Sequence, residues 1–285
     1  MLEPKSIVAS LVLAALWVAE SWVPFFSHFQ GRLKDRIRHD VRNLALGITN
    51  AALLALLLGG VFALVGSWAE EANVGILRAL EWPGWIEVVV ALVVFDLWMY
   101  LWHRANHRIP FLWRFHRMHH SDPEMDATTA VRFHTGEVVL SGLVRLAVIP
   151  VLGMELWQLA LYETVLLPVI ILHHSNVGLP RILDHGLLAL FVTPAMHRVH
   201  HSRVREETDS NYGSIFPYWD MVFRTFRLRT DARTIHLGLD GLDDPKWQGL
   251  KGMLLTPLGP DRPGTKGSRR LERLNQVADS PPRGP

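Results

Sequence analysis

Residues 84–120 read GWIEVVVALVVFDLWMYLWHRANHRIPFLWRFHRMHH. An apolar run over 84–102 gives way to five histidines, His103, His107, His116, His119 and His120. About eighty residues later His197-Arg-Val-His200-His201 repeats the spacing of His116-Arg-Met-His119-His120. Residues at i, i+3 and i+4 share one face of a helix, so each box directs two or three imidazoles at one spot. Neutral imidazole suits iron, zinc, copper and nickel. Eight imidazoles exceed the four ligands of a tetrahedral site, which points to two metals. Histidine supplies 15 of 285 residues, so H-x2-H-H arises by chance about 0.04 times in such a chain, yet it occurs twice. H-x3-H alone carries little weight; the ordered set of three boxes carries the reading.

Working outward, residues 6–26 and 44–66 are apolar blocks like 84–102, each close to the roughly 20 residues that cross a bilayer as a helix. Lys5 ahead of the first block suits a signal peptide, but no A-x-A site follows, and the segment is read as a retained anchor. The stretch 27–43 carries Arg32, Lys34, Arg36, Arg38 and Arg42, whereas 67–83 carries Arg78 beside Glu70, Glu71 and Glu81. Basic loops stay cytoplasmic, so the third span returns the chain to the cytoplasm and delivers every histidine box there. Two further apolar stretches, 138–152 and 156–172, are shortened by Pro150 and Pro168 and hold Arg145 and Glu163. They read as a tilted hairpin that dips into or just crosses the bilayer.

The expected fold is therefore all-α: polytopic membrane helices under a cytoplasmic helical cap that holds a histidine-rich dimetal site. Residues 1–83 form an anchor, 84–255 the catalytic unit, and 256–285, rich in Pro, Gly, Arg and Ser, a disordered tail. The absence of cysteine excludes thiolate ligation and Cys-held iron–sulfur clusters. A net charge of +2, concentrated in loops that meet lipid headgroups, gives no support for nucleic-acid binding.

The boxes have fuller contexts: Asp96 and Tyr100 ahead of His103, Trp113 ahead of His116, Thr193-Pro194 ahead of His197, then Asn211-Tyr-Gly213, Trp219-Asp220 and Phe223-Arg-Thr225. Over roughly residues 90–230 this resembles the fatty acid hydroxylase/sterol desaturase superfamily of membrane di-iron oxygenases. The resemblance implies two iron ions held by His103, His107, His116, His119, His120, His197, His200 and His201. It further implies His134, in Arg132-Phe-His134-Thr-Gly-Glu137, and His174, favoured over His173 because Ser175-Asn176 follows. Thr135 stands where the family usually has proline. The implied activity is O2-dependent hydroxylation or desaturation of a C–H bond in a lipid such as an acyl chain, sterol-like molecule or carotenoid. No His-Pro-Gly-Gly haem motif occurs, so electrons are expected from a separate ferredoxin- or cytochrome b5-type protein with its NAD(P)H reductase.

Carboxylates should orient the ligand rings through their second nitrogens, and Asp96, Glu137, Asp209 and Asp220 are the candidates. Asp96 stands out because an acid near the end of an apolar helix is costly without a partner. The other three equally suit caps or solvated charges, and Asn211 suits ligand orientation or a turn before Gly213. Arg117 and Arg198 are read as positive-inside arginines or as partners of those carboxylates or of lipid phosphates, and Trp98, Trp102, Trp113 and Trp219 as belt or core aromatics. His28, His39, His185 and His236 are read as structural or exposed. A competing function of a different class is a membrane zinc carrier or sensor. The boxes begin at a helix end and continue into arginine-bearing segments, whereas transport favours histidines at mid-membrane depth. A metalloprotease lacks its H-E-x-x-H.

Overall fold

The computed structural model describes residues 4–79 and 83–260, and these are helical with connecting loops; only two isolated bridges, Pro24 with Val177 and Ser202 with Leu237, break the pattern. Five long helices form the membrane body: α1 (Pro4–Trp22), α2 (Leu33–Glu71), α3 (Gly84–Arg108), α5 (Thr135–Leu152) and α6 (Leu156–His174), with α4 (Pro110–His120) between α3 and α5. Each of the five is long and apolar enough to cross a membrane. Leu56, Leu64 and Trp85 on their outer faces are largely exposed, as lipid-facing side chains must be.

Helices α1, α3 and α6 run toward the cap, and α2 and α5 run away from it. At the cap end Glu20 accepts from the Asn176 amide, and Asn50 donates to the Phe133 carbonyl. At the far end Ile76 and Leu77 donate to the carbonyls of Val151 and Leu152, where Gly75 and Gly153 let two backbones touch. Helices α5 and α6 continue through Pro150 and Pro168, so the hairpin is 18 and 19 residues long rather than shortened. Membrane helices tolerate proline because neighbouring groups satisfy the freed carbonyl. A left-handed Gly153, φ 80°, ends α5.

Helix α2 departs from expectation. Its 39 residues span about 58 Å at about 1.5 Å per residue, twice the roughly 30 Å of hydrocarbon. Residues 33–43 contain neither Gly nor Pro, so the supposed basic loop is helical from Leu33 and projects into the cap with Arg36, His39, Asp40 and Asn43 buried.

The cap is built from short helices: α7 (Arg181–Leu188), α8 (Pro194–His200), α9 (Arg205–Thr208), α10 (Tyr218–Val222) and α11 (Leu250–Leu255). Thr256–Leu258 adds a 3-10 turn, so the first residues assigned to the tail belong to the fold, while 261–285 lie outside the described residues. Arg117 explains this boundary: buried, it donates to the carbonyls of Thr256, Gly259 and Pro260. Arg198 likewise donates to Ser175 and Val177 carbonyls and stacks on Phe25 at 3.9 Å. Neither arginine pairs with the acids proposed for it. His39 is structural rather than exposed, buried with its Nε2 2.9 Å from Asp122.

Candidate metal centre

The junction Ile109-Pro110 places the first two boxes on different helices. The residue before a proline is driven to extended backbone, so α3 stops there, and Pro110 opens α4 at its first position. Thr193 caps α8 from its side chain, with Pro194 again at the first position. Helices α3, α4, α6 and α8 thus bring their histidines to one place.

They gather as two groups. His103, His107, His116, His120 and His200 form one; His119, His174, His197 and His201 form the other; within each, one ligand atom per residue lies within 4.8 Å of the rest. The groups touch where the rings of His120 and His201 stack, centroids 4.4 Å apart. The boxes do not each aim at one spot. In both H-x2-H-H boxes the first and last histidines stay together and the middle one joins the other group. At 3.6 residues per turn the i+4 residue is offset about 40° one way and i+3 about 60° the other, which divides the box.

Backbone carbonyls fix the tautomers. A carbonyl only accepts, so Nδ1–H donates in His103 to Tyr212 (2.9 Å), in His200 to Ser210 (2.6 Å), in His119 to Arg132 (3.3 Å) and in His174 to Ile170 (2.6 Å). Each of these rings therefore presents a bare Nε2 inward. Yet Nε2 of His103 lies 3.0 Å from that of His200, and Nε2 of His119 lies 3.0 Å from that of His174. Lone pairs facing at that distance repel unless a cation lies between them, so the residues present fit a bound metal in each group. Burial, reinforced by neighbouring histidines, holds His119, His120, His197, His200 and His201 well below their usual pKa and therefore neutral, the form that ligates.

Glu137 touches this shell directly: its Oε1 accepts from His116 Nδ1 at 2.7 Å, and His116 Nε2 faces His120 Nε2 at 3.2 Å. Asp209 stands 3.7 Å from His107 Nδ1. Asp220 contacts no histidine; it accepts from the amides of Tyr212 and Gly213, and so fixes the segment whose carbonyl holds His103. Asn211 lies between the Ser210 and Tyr212 carbonyls in left-handed backbone, φ 56°, and its amide donates to Met196 and Arg227 carbonyls. Asp96 is farther off, wholly buried, accepting from Tyr162, Trp219 and the amides of Ile215 and Phe216.

His134 is not brought to either group. Its Nε2 donates to the Leu254 carbonyl at 3.1 Å and its Nδ1 accepts from the Gly136 amide at 2.9 Å, which leaves no lone pair for a metal. It is the N-cap of α5. His174 joins the second group, while His173 lies beside it, stacked on His197 with centroids 4.0 Å apart. The carbonyls of Arg132, Ile170, Ser210 and Tyr212 were invisible to sequence reasoning, because any residue supplies a carbonyl. Tyr212, whose ring packs on His103, His107 and His200, carried a signal only as the centre of Asn-Tyr-Gly.

Residues 88–225, which hold every one of these histidines, match the family model for fatty acid hydroxylases. The chain belongs to the fatty acid hydroxylase/sterol desaturase superfamily. Among curated members it is 32% identical over 163 residues to the ornithine lipid hydroxylase OlsE of Rhizobium tropici, covering 56% of this chain and 48% of that one. It is 28% identical over 228 residues to an alkylglycerol monooxygenase of Caenorhabditis elegans, covering 75% and 41%. With methylsterol monooxygenase 1-3 of Arabidopsis thaliana the identity is 26% over 232 residues, covering 77% and 75%. The match thus spans less than half the length of the first two relatives. No solved structure matches the chain significantly. In this hydroxylase-family member a cavity of about 1070 Å³ adjoins the histidines, reached by His103, His116, His119 and His174, and continues among α2, α5 and α6.

Proposed function

We propose that this protein is an integral-membrane, O2-dependent oxygenase with two irons, hydroxylating or desaturating a lipid C–H bond with electrons from a separate donor protein. The carrying observation is the cavity: one continuous space meets both histidine groups and runs between membrane helices lined by Leu54, Phe62, Leu166 and Ile170. Iron bound there would supply the oxidising power that an alkyl C–H bond demands and that no amino-acid side chain has.

The chain's own residues do the rest. Nine imidazoles bind, four carbonyls and Glu137 orient them, and the apolar wall aligns an alkyl chain beside them while excluding water. The relatives' printed activities, on ornithine lipid, alkylglycerol and methylsterol, share a lipid held at a membrane. The basic residues Arg32, Lys34, Arg38 and Arg42 surround the cap end of α2, which supports a cytoplasmic cap where soluble reductants act.

The test compares lipids of cells expressing the protein with those of cells expressing His200→Ala, His201→Ala. A histidine-dependent lipid gaining one oxygen supports hydroxylation, and one losing two hydrogens supports desaturation. If iron-loaded, folded protein supplied with a reductase changes no lipid, the oxygenase reading is refuted and a zinc carrier takes its place.

A further inference from the structure

The same cavity has a second polar feature. Lys5, at the start of α1, and Arg145 and Glu163, inside the apolar spans of α5 and α6, line it. Arg145 is ten residues from the cap end of α5, and Glu163 is eleven from the cap end of α6, so at about 1.5 Å per residue both stand about 15–16 Å from the histidine level. They are about 10 Å short of the opposite helix ends by the same rise. Ionisable groups at such depth are costly and by default functional.

Arg145 is poorly satisfied. Glu163 binds Lys5 tightly, at 2.7 Å, and reaches Arg145 only at 3.4 Å. The guanidinium also lies 3.5 Å from the Met99 thioether and over the Trp98 ring, 5.8 Å from its centroid, and its Nε, shielded from solvent, has no hydrogen-bond partner. A guanidinium offers five donors in a planar fork that matches carboxylate and phosphate oxygens. Here the guanidinium lines the cavity with its Nε unpaired and only long contacts to its two Nη atoms.

We propose that Arg145 is the anchoring group of a subsite for the anionic end of a lipid, a carboxylate or a phosphate ester, whose alkyl chain extends from there to the histidines. This rests on the oxygenase reading for the fate of the chain, but not for its binding. An extended sp3 chain, with bonds of about 1.5 Å meeting at about 111°, advances about 1.25 Å per carbon, so about 16 Å corresponds to about a dozen carbons between the anchored end and the reacting position. Glu163 moderates the site by competing for the same guanidinium.

The test measures equilibrium binding of radiolabelled palmitate, hexadecyl phosphate and hexadecanol to the full-length iron-loaded protein in nanodiscs. At least one anion should bind tenfold or more tighter than the alcohol, and which one does names the headgroup. R145M should abolish that preference and leave hexadecanol binding unchanged; E163Q, freeing the guanidinium, should tighten anion binding severalfold. A wild-type protein with no preference for either anion, an R145M protein that keeps the preference, or a folded E163Q protein that binds anions no better would overturn the proposal. Should R145M not fold, E163Q in a K5M background decides, because tightening there comes neither from misfolding nor from the freed Lys5 ammonium. Binding is read without turnover, so failure of the oxygenase reading leaves this result standing.

Discussion

Asp96→Asn isolates the acid that stood out in the sequence as a candidate to orient a ligand ring and that the structure places in the helix packing. Oδ1 accepts from Tyr162 Oη at 2.6 Å and the Ile215 amide at 3.2 Å; Oδ2 accepts from Trp219 Nε1 at 2.8 Å and the Phe216 amide at 3.3 Å. An asparagine has one oxygen; with its NH2 turned toward Tyr162 and Ile215 the tyrosine hydroxyl can accept instead, so the Ile215 amide is the one donor left facing an NH2 group. A stranded donor costs about 1–3 kcal/mol, a central loss of about 2 kcal/mol. At about 2–4 °C per kcal/mol for a chain of this size, the melting temperature should fall by about 6 °C. The assay is tryptophan-fluorescence melting in detergent, with iron content measured at low temperature. Because Asp96 touches no histidine, the folded variant should still hold its iron. A variant that melts like wild type refutes the four-donor account, and one that melts like wild type but loses iron shows that Asp96 acts on the metal.

Chelation should lower the melting temperature, since a metal at a hundred times its Kd contributes about 2.7 kcal/mol, and ferrous iron should restore it with saturation at two equivalents per chain; saturation at one refutes the two-group reading. Glu137→Ala should weaken metal binding about 10–100-fold in a competition titration, and Glu137→Gln, whose amide oxygen still accepts from His116, should recover most of it. His134→Ala should retain both metals and lose about 1 kcal/mol of cap stability, whereas His174→Ala should lose metal from its group; metal loss in the former returns His134 to the ligand set. Arg117→Ala strands the carbonyls that hold Thr256–Pro260 and should cost about 3 kcal/mol, read as faster protease cleavage after residue 250; unchanged cleavage refutes the latch.

The spans and the boxes were legible because both are periodic: apolar blocks of bilayer length, and histidines at i, i+3 and i+4. What composition marks, composition reveals. The helical start of α2 was misread because a run of Arg and Lys says which side of a membrane a segment occupies, not whether it coils, and only the absence of Gly and Pro over 33–43 hinted at a helix. Glu137 was legible as a carboxylate close in sequence to a candidate ligand. His134 was misplaced for a related reason: Phe-His-Thr-Gly reads equally as ligand or helix cap, and only the third dimension supplies the Leu254 carbonyl that takes its second nitrogen.

The exchange of middle histidines between the two H-x2-H-H boxes accounts for their recurrence. If each box served one metal, a single box on a single helix would complete one site. Instead α4 gives His116 and His120 to the first group and His119 to the second, while α8 gives His197 and His201 to the second and His200 to the first. Each metal position therefore needs both helices, and each helix needs both metal positions, so neither group is complete until α4 and α8 have docked. The carbonyl acceptors extend this dependence, because Ser210 and Tyr212 hold His200 and His103, while Arg132 and Ile170 hold His119 and His174. A distortion of α4 or α8 then reaches both metal positions at once, whereas one at Ser210–Tyr212 acts on the first group and one at Arg132 or Ile170 on the second. That coupling suits a centre in which the two ions must act together on one substrate, and it is why the histidine spacing, the tautomers and the cavity all converge on the same few ångströms.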